Sequence, residues 1–289
     1  GKMLLKGKPV ADAITEKLRL EVEKLSKKGI VPTLAILRVG KREDDLSYER
    51  GAMKRCAQVG IEVKQVVLDG DIDNEQFLKK LEELNQDDGV DGILMFRPLP
   101  KQLDEEAATR LLAVEKDIDG NTQGSLAGIY ANTGDGFAPC TAEAVMAILN
   151  YYGIEMAGKK AVVIGRSLVI GRPVAMLLMH KQATVTICHS RSKKIDKISR
   201  KADILVAAAG QMQSIDRNYI KEGQIVIDVG IHWDEEAQKL CGDVVTNDVE
   251  EIVAAVTPVP GGVGAVTTSI LAKHVLEAAI KRRGIADEI

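Results

Sequence analysis

The segment with the clearest chemical potential is Lys159-Lys160-Ala161-Val162-Val163-Ile164-Gly165-Arg166-Ser167-Leu168-Val169-Ile170-Gly171-Arg172-Pro173. It reads as a strand, a small-residue turn and the start of a helix. A dinucleotide diphosphate needs that arrangement, because glycine lets the backbone approach and a helix N-terminus offers N–H groups and positive potential. The spacing is G-x-S-x-x-x-G and not G-x-G-x-x-G, so on the motif alone an ordinary βα turn stands beside cofactor binding. Context favours the cofactor. A strand follows within βαβ length, and Ala207-Ala208-Ala209-Gly210 ends a third strand in small residues.

The end of the second strand bears on which cofactor it is. NAD-selective sites place a carboxylate there for the ribose 2′-hydroxyl, and that carboxylate repels a 2′-phosphate. Here the stretch is Ile187-Cys188-His189-Ser190-Arg191-Ser192, with no acid. Ser190 and Arg191, with Arg166 near the same corner, suit a dianionic phosphate and point to NADP over NAD. Solvated surface arginines are the competing reading. Taken singly, Asp119 reads as a turn residue, Tyr48 as an interfacial aromatic, and Gly261, Gly262 and Gly264 as a flexible loop. The four cysteines (Cys56, Cys140, Cys188, Cys241) have spacing that suits neither zinc nor a disulfide framework, so reduced thiols of a cytoplasmic protein are expected.

These residues need elements to hold them. Pro9 followed by Val10, Ala13, Ile14, Leu18, Val22 and Leu25 predicts an amphipathic helix. Thr33–Val39, Glu62–Leu68 and Asp91–Phe96 read as strands, with helices over Ser47–Val59 and Asn74–Leu84. The third strand runs into Pro98-Leu99-Pro100, where a sheet cannot continue. Periodicity lapses from Val114 to Pro139, which predicts a long functional loop or linker. Thr141 is expected to cap a helix over Ala142–Tyr152. Alternation then resumes: strands Ala161–Ile164, Thr184–Ile187, Ile204–Ala207 and Ile225–Val229, with helices over Arg172–Met179 and near Lys194–Ser199. A last helix, Thr267–Arg282, is expected to return to the first domain. The whole predicts an α/β chain of two domains with mostly parallel sheets.

Composition agrees and excludes much. The chain has 289 residues, 45% of them hydrophobic, enough for two cores, and a net charge of −3 without a basic stripe. Nucleic acid is set aside as a partner. No apolar run reaches the roughly 18 residues of a membrane helix. The N-terminus lacks a signal-peptide core, and Gly1-Lys2 reads as a remnant ahead of a native Met3.

In order along the chain, several pieces resemble the methylenetetrahydrofolate dehydrogenase/cyclohydrolase family. They are Ser47-Tyr48 with Val59-Gly60-Ile61, Asp91-Gly92-Ile93-Leu94 leading to Pro98-Leu99-Pro100, Lys116-Asp117-Ile118-Asp119-Gly120, and Pro139-Cys140-Thr141. The glycine turn, Cys188-His189-Ser190, Val226-Ile227-Asp228-Val229-Gly230-Ile231 and Thr257-Pro258-Val259-Pro260-Gly261-Gly262-Val263-Gly264 complete the set. The resemblance implies an N-terminal three-layer α/β folate domain over residues 1–139, completed by the closing helix of 267–289. A C-terminal Rossmann-like NADP domain over 140–266, a cleft between the two and a homodimer are implied as well. The activity implied is hydride transfer from 5,10-methylenetetrahydrofolate to NADP in one-carbon metabolism, followed in bifunctional members by hydration of the methenyl cation. By resemblance Tyr48 and Asp119 are catalytic, and Tyr48, Leu99, Asp119, Pro260, Gly261 and Gly262 meet the folate. Gly165, Arg166, Ser167, Gly171, Ser190, Arg191, Ala209, Gly210 and Ile231 are the expected cofactor contacts. No metal is expected.

The chain departs from this pattern where the family has a lysine four residues after the tyrosine and a glutamine before its Leu-Pro-Leu-Pro run. Those positions are Ala52 and Phe96. Lys54 lies about 240° round the helix from Tyr48 and cannot substitute. Losing one partner of a buried polar pair costs about 1–3 kcal/mol, whereas losing both removes that penalty. The double change therefore reads as a rebuilt site. Hydride transfer needs mainly alignment, and hydration needs a proton-handling group, so dehydrogenase activity is expected with weak or absent cyclohydrolase. Strand alternation predicts that Arg97 faces away from Phe96. His232 stands where the family has Asn, and Ala265-Val266 where it has Pro-Met. Two other readings are a folate- and NADP-binding protein without catalysis and a shikimate dehydrogenase-like enzyme; the latter does not explain Asp119 together with the Pro-Gly-Gly turn.

Overall fold

The computed structural model describes residues 3–285. Gly1 and Lys2, read above as a remnant, and residues 286–289 of the closing segment lie outside the described residues. The chain opens with β1 (Met3–Leu4) and α1 (Gly7–Ser26), then β2 (Thr33–Val39), α2 (Glu43–Val59), β3 (Glu62–Leu68), α3 (Asn74–Gln86), β4 (Gly92–Met95), α4 (Glu105–Leu111) and α5 (Gln123–Ala131). It continues through α6 (Cys140–Tyr151), β5 (Lys160–Ile164), α7 (Gly171–His180), β6 (Thr184–Cys188), α8 (Ile195–Arg200), β7 (Ile204–Ala207) and β8 (Ile225–Asp228). A hairpin of β9 (His232–Asp234) and β10 (Lys239–Cys241) precedes α9 (Thr246–Val249), β11 (Ala255–Val256) and α10 (Thr267–Arg283). Among the described residues, no helix is long and apolar enough to cross a membrane.

Two compact units result, one holding Ala13–Cys140 with the chain from Thr268, the other holding the chain to Asp12 with Thr141–Thr267. The first is built on a parallel sheet of order β3-β2-β4. The central strand β2 is buried along nearly its whole length, as expected of a parallel strand covered on both faces. Ala35, Leu37, Val39, Ile93 and Met95 form one core cluster with Phe77, Leu81 and Leu84 of α3. Helix α10 is buried around most of its surface, from Ser269 to Ala279. Its last turn is locked to the sheet by charge. Asp91, fully buried, accepts from Arg282 Nη2 at 2.6 Å, from Arg283 Nε at 2.9 Å and Nη2 at 2.8 Å, and from the Thr33 amide at 2.9 Å.

The second unit carries a six-stranded sheet of order β1-β11-β8-β7-β5-β6, parallel throughout. Here the expected division at residue 139 is corrected at the N-terminus. Met3 and Leu4 pair with Ala255 and Val256, so the first residues close the sheet edge of this unit instead of joining the first. Three local expectations also change. Helix α2 begins at Glu43 rather than Ser47, because Glu43, Asp44 and Asp45 suit the positive end of a helix. Thr141 lies inside α6, which starts at Cys140. The stretch 114–139 is not wholly loop: the Thr122 side chain accepts from Ser125 N to start α5, and Asn132 in the left-handed region ends it.

Replacing Asp91 by Ala leaves two guanidinium groups facing each other without their shared anion. A loss of about 3–5 kcal/mol is expected, read as a lower urea midpoint for the first unit.

Candidate functional site

In a doubly wound sheet, ligands settle at the carboxyl ends of the strands where the strand order reverses. In the second unit the chain moves from β5 outward to β6 and then back across to β7, so the reversal lies between β5 and β7. Gly165 ends β5 there with φ +126, and a Cβ on it would meet the Ala208 carbonyl oxygen at 2.0 Å. A Cβ on Gly171 would meet the Gly165 carbonyl oxygen at 2.2 Å. Only glycine lets the two loops and the helix start converge this closely. A cavity of about 300 Å³ opens at this point, lined by Gly165, Arg166, Ser167, His189, Ser190, Ala208, Ala209, Gln211, Ser214 and Tyr219 among others.

The hydrogen bonds refine the expectation of free amides at the start of α7. Ser167 Oγ accepts from Ile170 N at 3.1 Å and Gly171 N at 3.2 Å, so the side chain, and no ligand, satisfies those two donors. Arg191 is exposed and is not among the cavity lining; its amide donates to His189 Nδ1 at 3.2 Å. The amides of Ala209 and Gly210 donate to Asp243 Oδ2 at 2.8 and 3.1 Å. Ile231 is 58% exposed and lines a second cavity of about 290 Å³ with Asp228, Leu240, Pro260, Gly261, Gly262 and Gly264.

In the first unit, the carboxyl end of β4 gathers the remaining residues. Tyr48 meets Phe96 edge to face, with ring centroids 6.0 Å apart and planes at 86°. Ala52 is fully buried one turn further along α2. Leu99 is half-buried against the core cluster, and its amide donates to Glu105 Oε1 at 2.8 Å. Ile93 bridges Asp117 in parallel register, which ties the turn carrying Asp119 to the edge of the sheet. Asp117 fixes that turn: it accepts from the amides of Gly120 at 3.1 Å, Asn121 at 3.3 Å and Thr122 at 2.9 Å, and from Ser125 Oγ at 2.7 Å.

Asp119 is in a different electrostatic position. Burial, and then the charge of Asp117, push its carboxyl up to about 6; Arg97, a hydrogen bond from Cys140 and His274 partly oppose the rise. Asn121 Nδ2 donates to it at 2.8 Å. Strand β4 ends at Met95, so residues 96 and 97 lie past the pleat, and the charge of Arg97 acts on Asp119.

Other polar residues here were not singled out by the sequence. His274 is buried, stacks on Phe137 with centroids 5.0 Å apart, and its Nδ1 donates to the Ile118 carbonyl at 2.7 Å. Arg38 Nε donates to Glu49 Oε2 at 3.0 Å, with both side chains buried, while Glu49 Oε1 has no hydrogen-bond partner among the described residues. Asp45 is also buried, and burial raises its carboxyl above the usual range. The period of α2 was a usable signal, since Asp45, Glu49, Ala52 and Cys56 share its buried face.

The signature of the tetrahydrofolate dehydrogenase/cyclohydrolase catalytic domain matches residues 5–119, and that of the NAD(P)-binding domain of the same family matches residues 139–283. The bifunctional protein FolD of Clostridioides difficile is 51% identical over 275 residues, covering 95% of this chain and 96% of that protein. Among solved structures, the bifunctional FolD enzyme of Campylobacter jejuni superposes with a TM-score of 0.94 at 35% identity, covering 98% of this chain and all of its own. The Trypanosoma brucei FolD enzyme, solved with NADP cofactor and inhibitor, gives a TM-score of 0.90 at 36% identity, with 98% and 99% covered.

The raised carboxyl of Asp119 has a consequence for stability. A half-buried acid whose folded value lies above its unfolded value of 3.8 destabilises the fold when ionised, and that penalty fades as pH falls from about 6 toward 3.8. Asp119→Asn is expected to raise the Tm of the ligand-free protein at pH 7, with the gain disappearing near pH 4. Thermal unfolding across that range checks it.

Proposed function

Because the chain belongs to the tetrahydrofolate dehydrogenase/cyclohydrolase family, we propose that it oxidises 5,10-methylenetetrahydrofolate to the methenyl cation with NADP, in one-carbon metabolism. The observation that carries the reading is the convergence of Gly165, Gly171 and Ala208 at the reversal of strand order, where a Cβ on either glycine would strike backbone, beside the cavity that Gly165, Arg166, Ser167, Ser190 and Ala208 line. NADP over NAD is supported by the sequence at the end of β6, where His189 and Ser190 line the cavity and no carboxylate follows Cys188. The bound nicotinamide supplies the hydride acceptor.

We assign Gly165, Arg166, Ser167, Gly171, Ser190, Arg191 and Ile231 to the cofactor. Ala209 and Gly210 are assigned to it too, through surface and not N–H donation, since Asp243 holds their amides. Asp119 is assigned to the pterin, where an ionised carboxylate can accept two parallel hydrogen bonds from the amino-pyrimidine edge. Arg97 favours that ionised form. Tyr48 and Leu99 flank the pterin in this reading, and Pro260, Gly261 and Gly262 are assigned to the folate too. Cytoplasmic residence is supported by four free, buried cysteines. Homodimerisation rests on the family alone.

Cyclohydrolase activity is proposed to be weak. Hydrating the cation requires a group that takes a proton from water, and at the two positions read as rebuilt α2 brings a buried methyl at Ala52 and the segment after β4 a ring at Phe96. Arg38 is buried beside Glu49, but a guanidinium stays protonated and cannot act as a base.

The test pairs two assays. Absorbance growth at 340 nm with methylenetetrahydrofolate and NADP is expected, and its absence defeats the dehydrogenase reading. Enzyme-dependent decay of methenyltetrahydrofolate is expected to be slow, and to rise by about 10²–10⁴ in the Ala52→Lys, Phe96→Gln double variant.

A further inference from the structure

Behind the loops assigned to the cofactor lies a chain of carboxylates that no step so far uses. Asp243 is fully buried. Its Oδ2 takes the amides of Ala209 and Gly210, the loop after β7, and its Oδ1 lies 2.7 Å from His232 Nε2. Its own amide donates to Asp228 Oδ1 at 3.0 Å, which also accepts from Gly230 N at 3.0 Å. Asp228 Oδ2 accepts from Val244 N at 3.1 Å. The backbone is shaped to admit this ladder. A Cβ on Gly230 would meet Asp243 Oδ1 at 2.3 Å, and one on Gly242 would meet Asp228 Oδ2 at 2.0 Å.

His232 enters through the β9–β10 hairpin, whose register sets it opposite Cys241, two residues before Asp243. The imidazole is a single side chain reaching from the loop after β8 to the anion that organises the loop after β7. A buried carboxylate needs donors for both oxygens; His232 is the side-chain donor to Oδ1. Its neighbour Ile231 and the residues Ala209 and Gly210 are cofactor contacts in the function proposed above, and the following inference rests on that reading.

We propose that His232 is a positioning residue for the dinucleotide: by donating to Asp243 it joins the loops after β7 and β8 and fixes their cofactor-facing backbone. It touches neither reactant in this assignment. Its effect is on how tightly NADP is held, through loops ordered before the cofactor arrives.

The test uses the full chain with His232→Phe, which keeps a ring but no donor, and His232→Gln, whose amide reaches about as far as Nε2. NADP binding is read by fluorescence titration, the loops by hydrogen exchange of the Ala209 and Gly210 amides without ligand, and turnover by KM and kcat separately. The Phe variant is expected to bind NADP about 10–100-fold more weakly, as for loss of a hydrogen bond to a buried charge. Its Gly210 amide should exchange on the order of tenfold faster, with KM for NADP raised well beyond any change in kcat. Gln should restore most of all three. Should the Phe variant not fold, the same readings are taken on His232→Ala. Equal binding and exchange in wild type and the donor-less variant overturn the inference and leave the dinucleotide site standing. Failure of the wild type itself to bind NADP overturns the dinucleotide reading, and the inference with it.

Discussion

A carboxylate taken out of water must recover its hydrogen bonds from the protein or lose its charge. In this chain the recovery comes largely from backbone amides, and it takes place in the loops that carry the site residues. Asp117 gathers three amides and a hydroxyl, and so sets the turn on which Asp119 stands. Asp228 gathers three amides across two segments, and Asp243 two amides and an imidazole. Asp117 and Asp243 stand outside the linings of the two cavities, and Asp228 is part of the second. Rigidity at the site is thereby supplied from behind, leaving the residues in front free for ligand chemistry.

Two carboxylates two residues apart show how environment separates roles. Asp117 is saturated with donors; Asp119 has fewer, and burial beside the Asp117 charge pushes it up to about 6. A saturated acid is structural, while an acid held at a cost to the empty protein has binding capacity in reserve. The same contrast runs through α2. Ala52 and Phe96 bring no polar group, yet that face of α2 is not apolar, because Asp45 and Glu49 are buried on it and Arg38 of β2 pairs with Glu49.

Much of this was legible in the residues because the chemistry is local. The glycine turn at Gly165 to Gly171 announces itself, since the close approach it permits can be met by no other residue type. Strand β2 was readable to its ends from its β-rich run TLAILRV, closed by Gly40. What escaped was long-range or irregular. Helix α5 hid in a stretch rich in glycine and asparagine, and its Thr122 cap is a single side chain. The alternation read for Arg97 was carried past Met95, the last residue of β4. The β9–β10 hairpin turns through Gln238 in the left-handed region, where no glycine or Asn-Gly pair signals a reversal, so the contact of His232 with Asp243 had no cue.

The edge strand β1 has a consequence for how this protein can be taken apart. Its two residues come from the extreme start of the chain, while the sheet they complete is otherwise encoded after residue 141. A gene fragment beginning at Thr141 would therefore yield a sheet whose last strand, β11, keeps a bare row of hydrogen-bonding groups open to pairing with other molecules. Neither half of this protein is a contiguous stretch of its message. Evolution by simple cutting and joining would have to move the N-terminal dozen residues along with the distant half they serve.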